Sequence, residues 1–242
     1  MRPFVLAPAF FAYSLMSFAQ QPYAIKQGIQ HTDKGWMYKV QNTSAIPIVA
    51  FHWITLCAGS LGYDLGLDTL IAGAPIRAGE TYSAPVADNL INCPSSVAFI
   101  YADGQTFGDA DQLANIRDVR RGIYRALLIA KPTIERVAAG QSTIAAESKQ
   151  LDLQKTQALQ DFRNGLLNPA IYKGELIGFN ISFGLVKEVD FYPIPTDSND
   201  KFTSSLEELI ASGLPRERAE ATIARQPIQK WMKTLEDNGA AQ

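Results

Sequence analysis

The sequence contains few of the residues that usually carry chemistry. Its 242 residues include only two cysteines and two histidines, and 19% of them are charged. The formal net charge of -2 excludes a strongly basic nucleic-acid-binding protein. Phosphate loops of the Gly-x-x-x-x-Gly-Lys type, serine-hydrolase elbows of the Gly-x-Ser-x-Gly type and His-x-x-x-His metal motifs are all missing. The sequence therefore predicts no cofactor and no metal.

The two cysteines, Cys57 and Cys93, lie far apart in the sequence. This separation does not match the Cys-x-x-Cys redox motif. A metal site built on two cysteines needs further ligands nearby, and histidine is scarce. In an oxidising compartment, two cysteines within one domain usually form a disulfide, which we predict for this pair.

Long apolar runs are missing from the sequence except at the N-terminus. Arg2 is the only charged residue among the first nineteen, and Phe4 to Met16 has the length of a signal-peptide core. Ser17 and Ala19 place small residues at the two positions that signal peptidase recognises. A transmembrane anchor needs about 20 apolar residues, and this run is shorter. We therefore expect residues 1–19 to be a signal peptide cleaved after Ala19, giving a secreted or periplasmic protein without a transmembrane span.

The segment 36–55 has the pattern of two strands joined by a turn. In the first strand, Trp36, Tyr38 and Val40 alternate with more polar residues, which is typical of a strand with one buried face. The second strand, residues 48–54, is apolar on both faces. Such a strand belongs in the interior of a protein, covered on both sides.

Glycine, proline and Asp-Gly turns separate about seven predicted strands between residues 20 and 108. One of these turns, Asp103-Gly104, is typical of a hairpin. The pattern predicts an α+β protein whose first half, residues 20–108, is an antiparallel β-sandwich of immunoglobulin or fibronectin type III character. The likeness concerns architecture alone, because Trp53 precedes both cysteines and the immunoglobulin Cys…Trp…Cys order is missing.

After Gly108 the apolar period changes from that of a strand to that of a helix. Residues 109–170 are predicted to form a helical hairpin or layer that covers the second face of the sheet, with its first helix ending before Pro132. Apolar residues alternate strictly with glycine or polar residues over positions 177–185, which predicts a strand or hairpin within residues 171–195. Residues 200–242 are expected to form short C-terminal helices, interrupted at Pro227.

Three acidic residues, Asp103, Asp109 and Asp111, lie close together in the sequence where the strands give way to helices. Their oxygens are of the type that binds Ca²⁺. Because the EF-hand spacing is missing, a turn at Asp103 and a helix cap at Asp109 explain the same residues. Both interpretations remain open, and the calcium site is the weaker one.

A row of arginines, Arg117, Arg121 and Arg125, recurs at i, i+4 on the first predicted helix. Like charges at this spacing repel each other, so the row implies nearby acids or an anionic partner. Acidic residues on the adjoining helices, Glu135, Glu147 and Asp152, are the expected internal partners. Anion binding by the row is the alternative.

Two function classes follow from these observations. We favour a non-catalytic binding or interaction module built on the β-sandwich, with a protein or carbohydrate partner. The alternative is a secreted glycosidase-type hydrolase, whose paired carboxylates must lie about 5–10 Å apart in space. His52 is interpreted as a buried, hydrogen-bonded structural histidine. Two carboxylates that face each other across a deep cleft would favour the hydrolase. The most useful observation is whether the largest pocket contains His52, Asp64, Asp68, Asp103 or the arginine row.

Overall fold

The first half of the chain forms two antiparallel β-sheets, and the second half forms helices. The computed structural model describes residues 23–57, 62–71, 73–187 and 199–241. The α+β class is confirmed, with seven strands and five α-helices in this described part of the chain. The signal peptide predicted at residues 1–19 lies outside the described residues.

The strands are β1 (Ile25–Thr32), β2 (Gly35–Asn42), β3 (Ile48–Thr55), β4 (Asp64–Asp68), β5 (Thr81–Pro85), β6 (Ser95–Tyr101) and β7 (Thr106–Gly108). The helices are α1 (Ala110–Ala138), α2 (Ile144–Arg163), α3 (Pro169–Lys187), α4 (Asn199–Ala211) and α5 (Arg216–Asp237).

The smaller sheet has the strand order β1-β2-β5, and the larger sheet has the order β4-β3-β6-β7. The predicted central strand, β3, pairs with β4 on one side and with β6 on the other. The predicted hairpin is confirmed, because β6 and β7 pair across the Asp103-Gly104 turn. Gly104 has φ +85°, a conformation that glycine adopts without strain.

The two sheets share an apolar core rich in aromatic side chains. Tyr38 of β2 stacks on Trp53 of β3, with ring centroids 4.0 Å apart, and both rings are fully buried. A β-bulge between Ile48 and Ala50 changes the direction of the first residue of β3. Ile48 consequently packs in this core with Phe51 and Trp53, while Ala50 packs with α1 on the other face of the sheet.

Helix α1 covers the outer face of the larger sheet. Ile116 of α1 packs against Ala50 of β3 and Ile100 of β6, and all three residues are buried. The predicted coverage of β3 on both faces is therefore confirmed. Burial on two sides explains why the sequence of this strand is apolar throughout.

The predicted end of the first helix before Pro132 is wrong, because α1 continues through this proline to Ala138. Proline removes one backbone hydrogen bond of the helix. Ile134 and Val137, which follow the proline, are buried in the core between α1 and α5. Packing of these residues holds the last turns of the helix in place and outweighs the local preference of proline.

The strand predicted within residues 171–195 is also wrong, since residues up to 187 belong to α3 and residues 188–195 lie outside the described part. Helix α3 has apolar contacts on more than one side. Ile177 and Ile181 pack in the core shared with α5, whereas Phe179 packs with residues of α2. A helix surrounded by other helices can be apolar on several faces, so apolar residues at every second position are compatible with a helix.

Close packing between α1 and α3 depends on glycine. A Cβ atom added to Gly122 of α1 would lie 2.0 Å from the carbonyl oxygen of Ile171. A Cβ atom added to Gly174 of α3 would lie 2.0 Å from the carbonyl oxygen of Val119. The two helix backbones are therefore in direct contact. Side chains at these two positions would prevent the helices from approaching so closely.

The C-terminal helices are longer than the sequence suggested. Helix α5 continues through Pro227, so the predicted interruption there is wrong. Ala224 and Ile228, on either side of the proline, are buried against α1. Trp231 of α5 donates its indole N–H to the carbonyl oxygen of Leu70, just after β4. In the described part of the chain, no helix combines the length and apolar character needed to cross a membrane.

Candidate functional site

A cavity of about 510 Å³ lies between the edge strand β4 and helices α1 and α3. Its apolar walls include Ile116 and Val119 of α1, Ile177 of α3 and Ile71 after β4. Its polar lining residues are His52, Asp64, Asp68, Asn115 and Lys173. Of the residues proposed from the sequence as pocket markers, His52, Asp64 and Asp68 line this cavity, whereas Asp103 and the arginine row do not.

Strand β4 forms one wall of this cavity. Asp64, Gly66 and Asp68 share one strand face and line the cavity. Gly66 pairs with His52 of β3 and has no side chain, which leaves space between the two aspartates. A Cβ atom on Gly66 would make ordinary contacts, 3.4 Å from the carbonyl oxygen of Phe51 and 3.6 Å from His52 Cδ2.

A chain of polar side chains links both sheet strands to both helices at one end of the cavity. His52 Nδ1 forms a hydrogen bond of 2.6 Å with the side-chain amide of Gln112 on α1, and His52 Nε2 donates to Asp64 Oδ1 at 2.8 Å. Lys173 of α3 donates through Nζ to Asp64 Oδ2 at 3.0 Å. Both ring nitrogens of His52 are therefore engaged.

Asp64 is the centre of this chain. Its pKa falls from 3.8 to about 2, chiefly because His52 hydrogen-bonds to its carboxylate. Partial burial opposes this change, and Lys173 adds to it through both a hydrogen bond and its charge. Asp64 is therefore ionised at neutral pH and holds His52 and Lys173 in place.

A buried ion pair closes the other end of the cavity. Arg120 of α1 donates through Nε to Asp68 Oδ2 at 2.7 Å and through Nη2 to Oδ1 at 3.0 Å. The side chains are 4% and 9% exposed, respectively. The backbone N–H of Leu70 also donates to Asp68 Oδ1 at 3.0 Å. This bidentate geometry satisfies both charges and fixes β4 against α1.

The acidic residues considered for calcium have other roles. Asp103 accepts a hydrogen bond from the Tyr23 hydroxyl at 2.6 Å. Asp109 caps α1 by accepting hydrogen bonds from the backbone N–H groups of residues 111 and 112. Within the described ranges, no three His, Cys, Asp or Glu side chains are grouped to hold a metal ion. The structure therefore does not bring Asp103, Asp109 and Asp111 together as a metal site.

The arginine row lies outside the cavity, and two of its members are paired. Arg121 Nη1 lies 2.6 Å from Asp118 Oδ1, and Arg125 Nε lies 2.9 Å from Glu175 Oε1. Burial raises the pKa of the Glu175 carboxyl, while Arg125 opposes this rise. Arg117 is exposed, and no ion pair connects it to another described residue. Anion binding by the row stays a prediction.

The internal partners predicted for the arginine row are wrong in identity. Glu135 pairs with Lys131 on its own helix, and Glu147 pairs with Arg136. The acids that neutralise the row lie on α1 itself and on α3. The predicted and observed partners differ because the segment predicted as a strand forms helix α3. This helix packs on α1 and places Glu175 next to Arg125.

The predicted cysteine pair is at disulfide distance. Cys57 and Cys93 have Cα atoms 5.1 Å apart, although 36 positions separate them in the sequence. Cys57 follows β3 and Cys93 precedes β6, and these two strands are neighbours in the larger sheet. The pair therefore links the ends of two adjacent strands.

Sequence reasoning missed Lys173 and Gln112 as members of the site. Lys173 lies 109 positions after Asp64, so no local spacing relates them. It also falls in the segment that was predicted to be a strand. The available signal was the i, i+4 spacing of Lys173 and Ile177, which places both on one face of a helix.

Comparisons with known proteins leave this site to be interpreted from its own chemistry. No family model, no curated protein and no solved structure matches the chain.

Proposed function

We propose that this chain is an exported, non-catalytic binding module that holds a small ligand in the cavity between β4, α1 and α3. The observation that carries the proposal is the cavity of about 510 Å³, which Gly66 leaves open between two anchored aspartates. Ligand sites are typically concave and mostly apolar, with a few oriented polar groups. The apolar walls and the fixed His52–Asp64–Lys173 chain have this composition.

Binding is favoured over glycoside hydrolysis by the state of the two cavity aspartates. A glycosidase needs one carboxylic acid that donates a proton near neutral pH. The pKa of Asp64 is lowered to about 2, and Asp68 is held in a bidentate pair with Arg120. Four residue steps along β4 also place the Cα atoms of the two acids about 13 Å apart, beyond the usual range for paired catalytic carboxylates.

We also propose that the two sheets form a sandwich of immunoglobulin or fibronectin type III character. With β1, β2 and β5 taken as strands A, B and E, the larger sheet has the order C′-C-F-G. The stacked aromatic core between the sheets supports this assignment. The cysteine pair departs from the immunoglobulin pattern, because it joins neighbouring strands of one sheet.

Binding can be tested without assuming a ligand. The full chain, labelled with ¹⁵N, is screened by NMR against a library of small molecules. We expect some compounds to shift the backbone resonances of His52, Gly66 and Lys173, which surround the cavity. Gly66→Leu should remove these shifts, because the leucine side chain occupies the space that the glycine leaves.

Two further variants keep this test decisive. Ser83→Leu adds the same side chain at an exposed position of β5, away from the cavity, and should bind as the wild type does. Ile177→Phe fills the cavity from the opposite wall and replaces Gly66→Leu if that variant does not fold. A library that produces no cavity shifts, or shifts that persist in the filled variants, would contradict the proposed function.

A further inference from the structure

Each charged side chain that lines the cavity already has a partner of opposite charge. Lys173 donates to Asp64 at 3.0 Å, and Asp68 forms its bidentate pair with Arg120. His52 also lines the cavity, and both of its ring nitrogens are engaged by side chains of the protein. Among the described lining residues, no charged side chain is therefore left to neutralise a charge on a ligand.

The hydrogen-bonding capacity that remains free in the cavity includes donors and acceptors alike. Asn115 is half-buried, and its amide has no hydrogen bond to any described residue, so its N–H donors and its carbonyl oxygen are both free. Lys173 retains N–H donors and Asp64 retains lone pairs on its carboxylate, but these side chains are 52% and 45% exposed and keep contact with water. A group that both donates and accepts matches this inventory.

Most of the remaining lining of the cavity is apolar. Ile116 and Val119 line it from the same helix as Asn115, and Ile177 lines it from α3. The wall formed by β4 is about 13 Å long, which is enough for an extended chain of eight carbons. A carbohydrate is also uncharged, but most of its hydroxyls would lie against these apolar walls without a partner.

We infer that the cavity binds an uncharged molecule whose single hydroxyl or amide group bonds the Asn115 amide and whose hydrocarbon body lies between Gly66 and Ile177. This inference rests on the proposed function and specifies the ligand class for the same cavity. A hydroxyl or amide can donate to the Asn115 carbonyl oxygen and accept from its N–H group. An ionic head group would lose water without gaining a counter-charge, because the charges of the lining are already paired.

The test compares three probes that share an eight-carbon chain. Octanol, octanoate and octylamine are titrated into the full chain by calorimetry at neutral pH, where octanoate is an anion and octylamine is a cation. Octanol should bind about tenfold more tightly than either ion, since neither ion finds a counter-charge in the cavity. Asn115→Leu retains the approximate size of the side chain and removes its donors and acceptor, so the affinity for octanol should fall about fivefold.

Two further variants locate the head group of the probe. Asn115→Asp has nearly the shape of the wild-type side chain and adds a negative charge, so it should raise the affinity for octylamine about tenfold and weaken the binding of octanoate. This variant also replaces Asn115→Leu if the leucine variant does not fold. Asn180→Leu, at an exposed position of α3 outside the cavity, is the matched control and should bind octanol as the wild type does.

Several results would overturn the inference about the ligand class. These are equal affinity for octanol and octanoate, tighter binding of either ion, no binding of any probe, unchanged affinity for octanol in Asn115→Leu, or unchanged affinity for octylamine in Asn115→Asp. If cavity shifts from other library compounds still disappear in Gly66→Leu, the ligand class fails alone and the proposed function stands. If those shifts are also missing, both fail.

Discussion

His52 joins the larger sheet to the helical layer through both of its ring nitrogens. Its side chain is 6% exposed, whereas that of its partner Asp64 is 45% exposed. Buried polar groups are costly unless their partners are present, and the geometry of Gln112 and Asp64 is therefore fixed by the same residue. A histidine with this role is a structural residue that also forms part of the cavity wall.

Asp64 should make the stability of the protein depend on pH in the acidic range. Because its pKa is lowered from 3.8 to about 2 in the folded state, its contribution is fully present above pH 3.8 and is lost as the pH falls toward 2. Its side chain is 45% exposed, so solvent screening reduces the contribution to about 1 kcal/mol. Urea unfolding of the wild type and Asp64→Asn at pH 6 and pH 2 measures this contribution.

The difference in unfolding free energy between the wild type and Asp64→Asn should be about 1 kcal/mol larger at pH 6 than at pH 2. Asp33→Asn removes an exposed acid that has no ion pair with any described residue, and it corrects for the loss of one negative charge. A difference for Asp64→Asn that stays constant between the two pH values would contradict the assigned role of the carboxylate.

The sequence identified one part of the site and missed the other for a physical reason. His52 was predicted to be buried and hydrogen-bonded, and Asp64 and Asp68 were named as pocket markers; the structure confirms the burial and places all three at the cavity. Lys173 and Gln112 approach them only through packing of helices on the sheet. Contacts across such distances in the chain leave no local pattern that a single sequence reveals.

At the scale of secondary structure, the sequence predicted the strands more reliably than the helix boundaries. In a strand with one buried face, apolar residues recur at every second position, and turn residues mark the ends of the strands. These two sequence signals agree with each other. Helix α3 lies among α1, α2 and α5, and its apolar residues at 177, 179 and 181 serve different neighbours. Pro132 and Pro227 were also misleading, because tertiary packing on both sides of each proline maintains the helix.

The contact between α1 and α3 should depend on the glycines at its centre. Gly174→Ala should lower the free energy of unfolding by about 3 kcal/mol, because the new methyl group collides with the backbone of α1, although alanine favours a helix more than glycine does. Asn180→Ala, at an exposed position of the same helix, should change stability by less than about 0.5 kcal/mol. Chemical denaturation measures both, and equal stability of the two variants would contradict backbone contact.

The sheets and helices pack in layers, and the helices bury surface that the sheets alone would leave exposed. The smaller sheet covers one face of β3 and helix α1 covers the other. Asp64 and Asp68 then attach the edge strand β4 to α3 and α1, respectively. The cavity lies within this junction, so the binding site that we propose exists only when the sheet and the helices are packed together.

Export of the whole chain should leave two independent marks on the mature protein. Cleavage after Ala19 should make Gln20 the first residue, and an oxidising compartment should close the Cys57–Cys93 pair, which lies at disulfide distance. Intact-mass and N-terminal analysis of the exported protein, with thiol labelling, should therefore find the shortened chain and no free thiol. Ala19→Arg places a large charged side chain at the cleavage position and should prevent processing. An exported wild type that keeps Met1, or that has two free thiols, would contradict the export proposal.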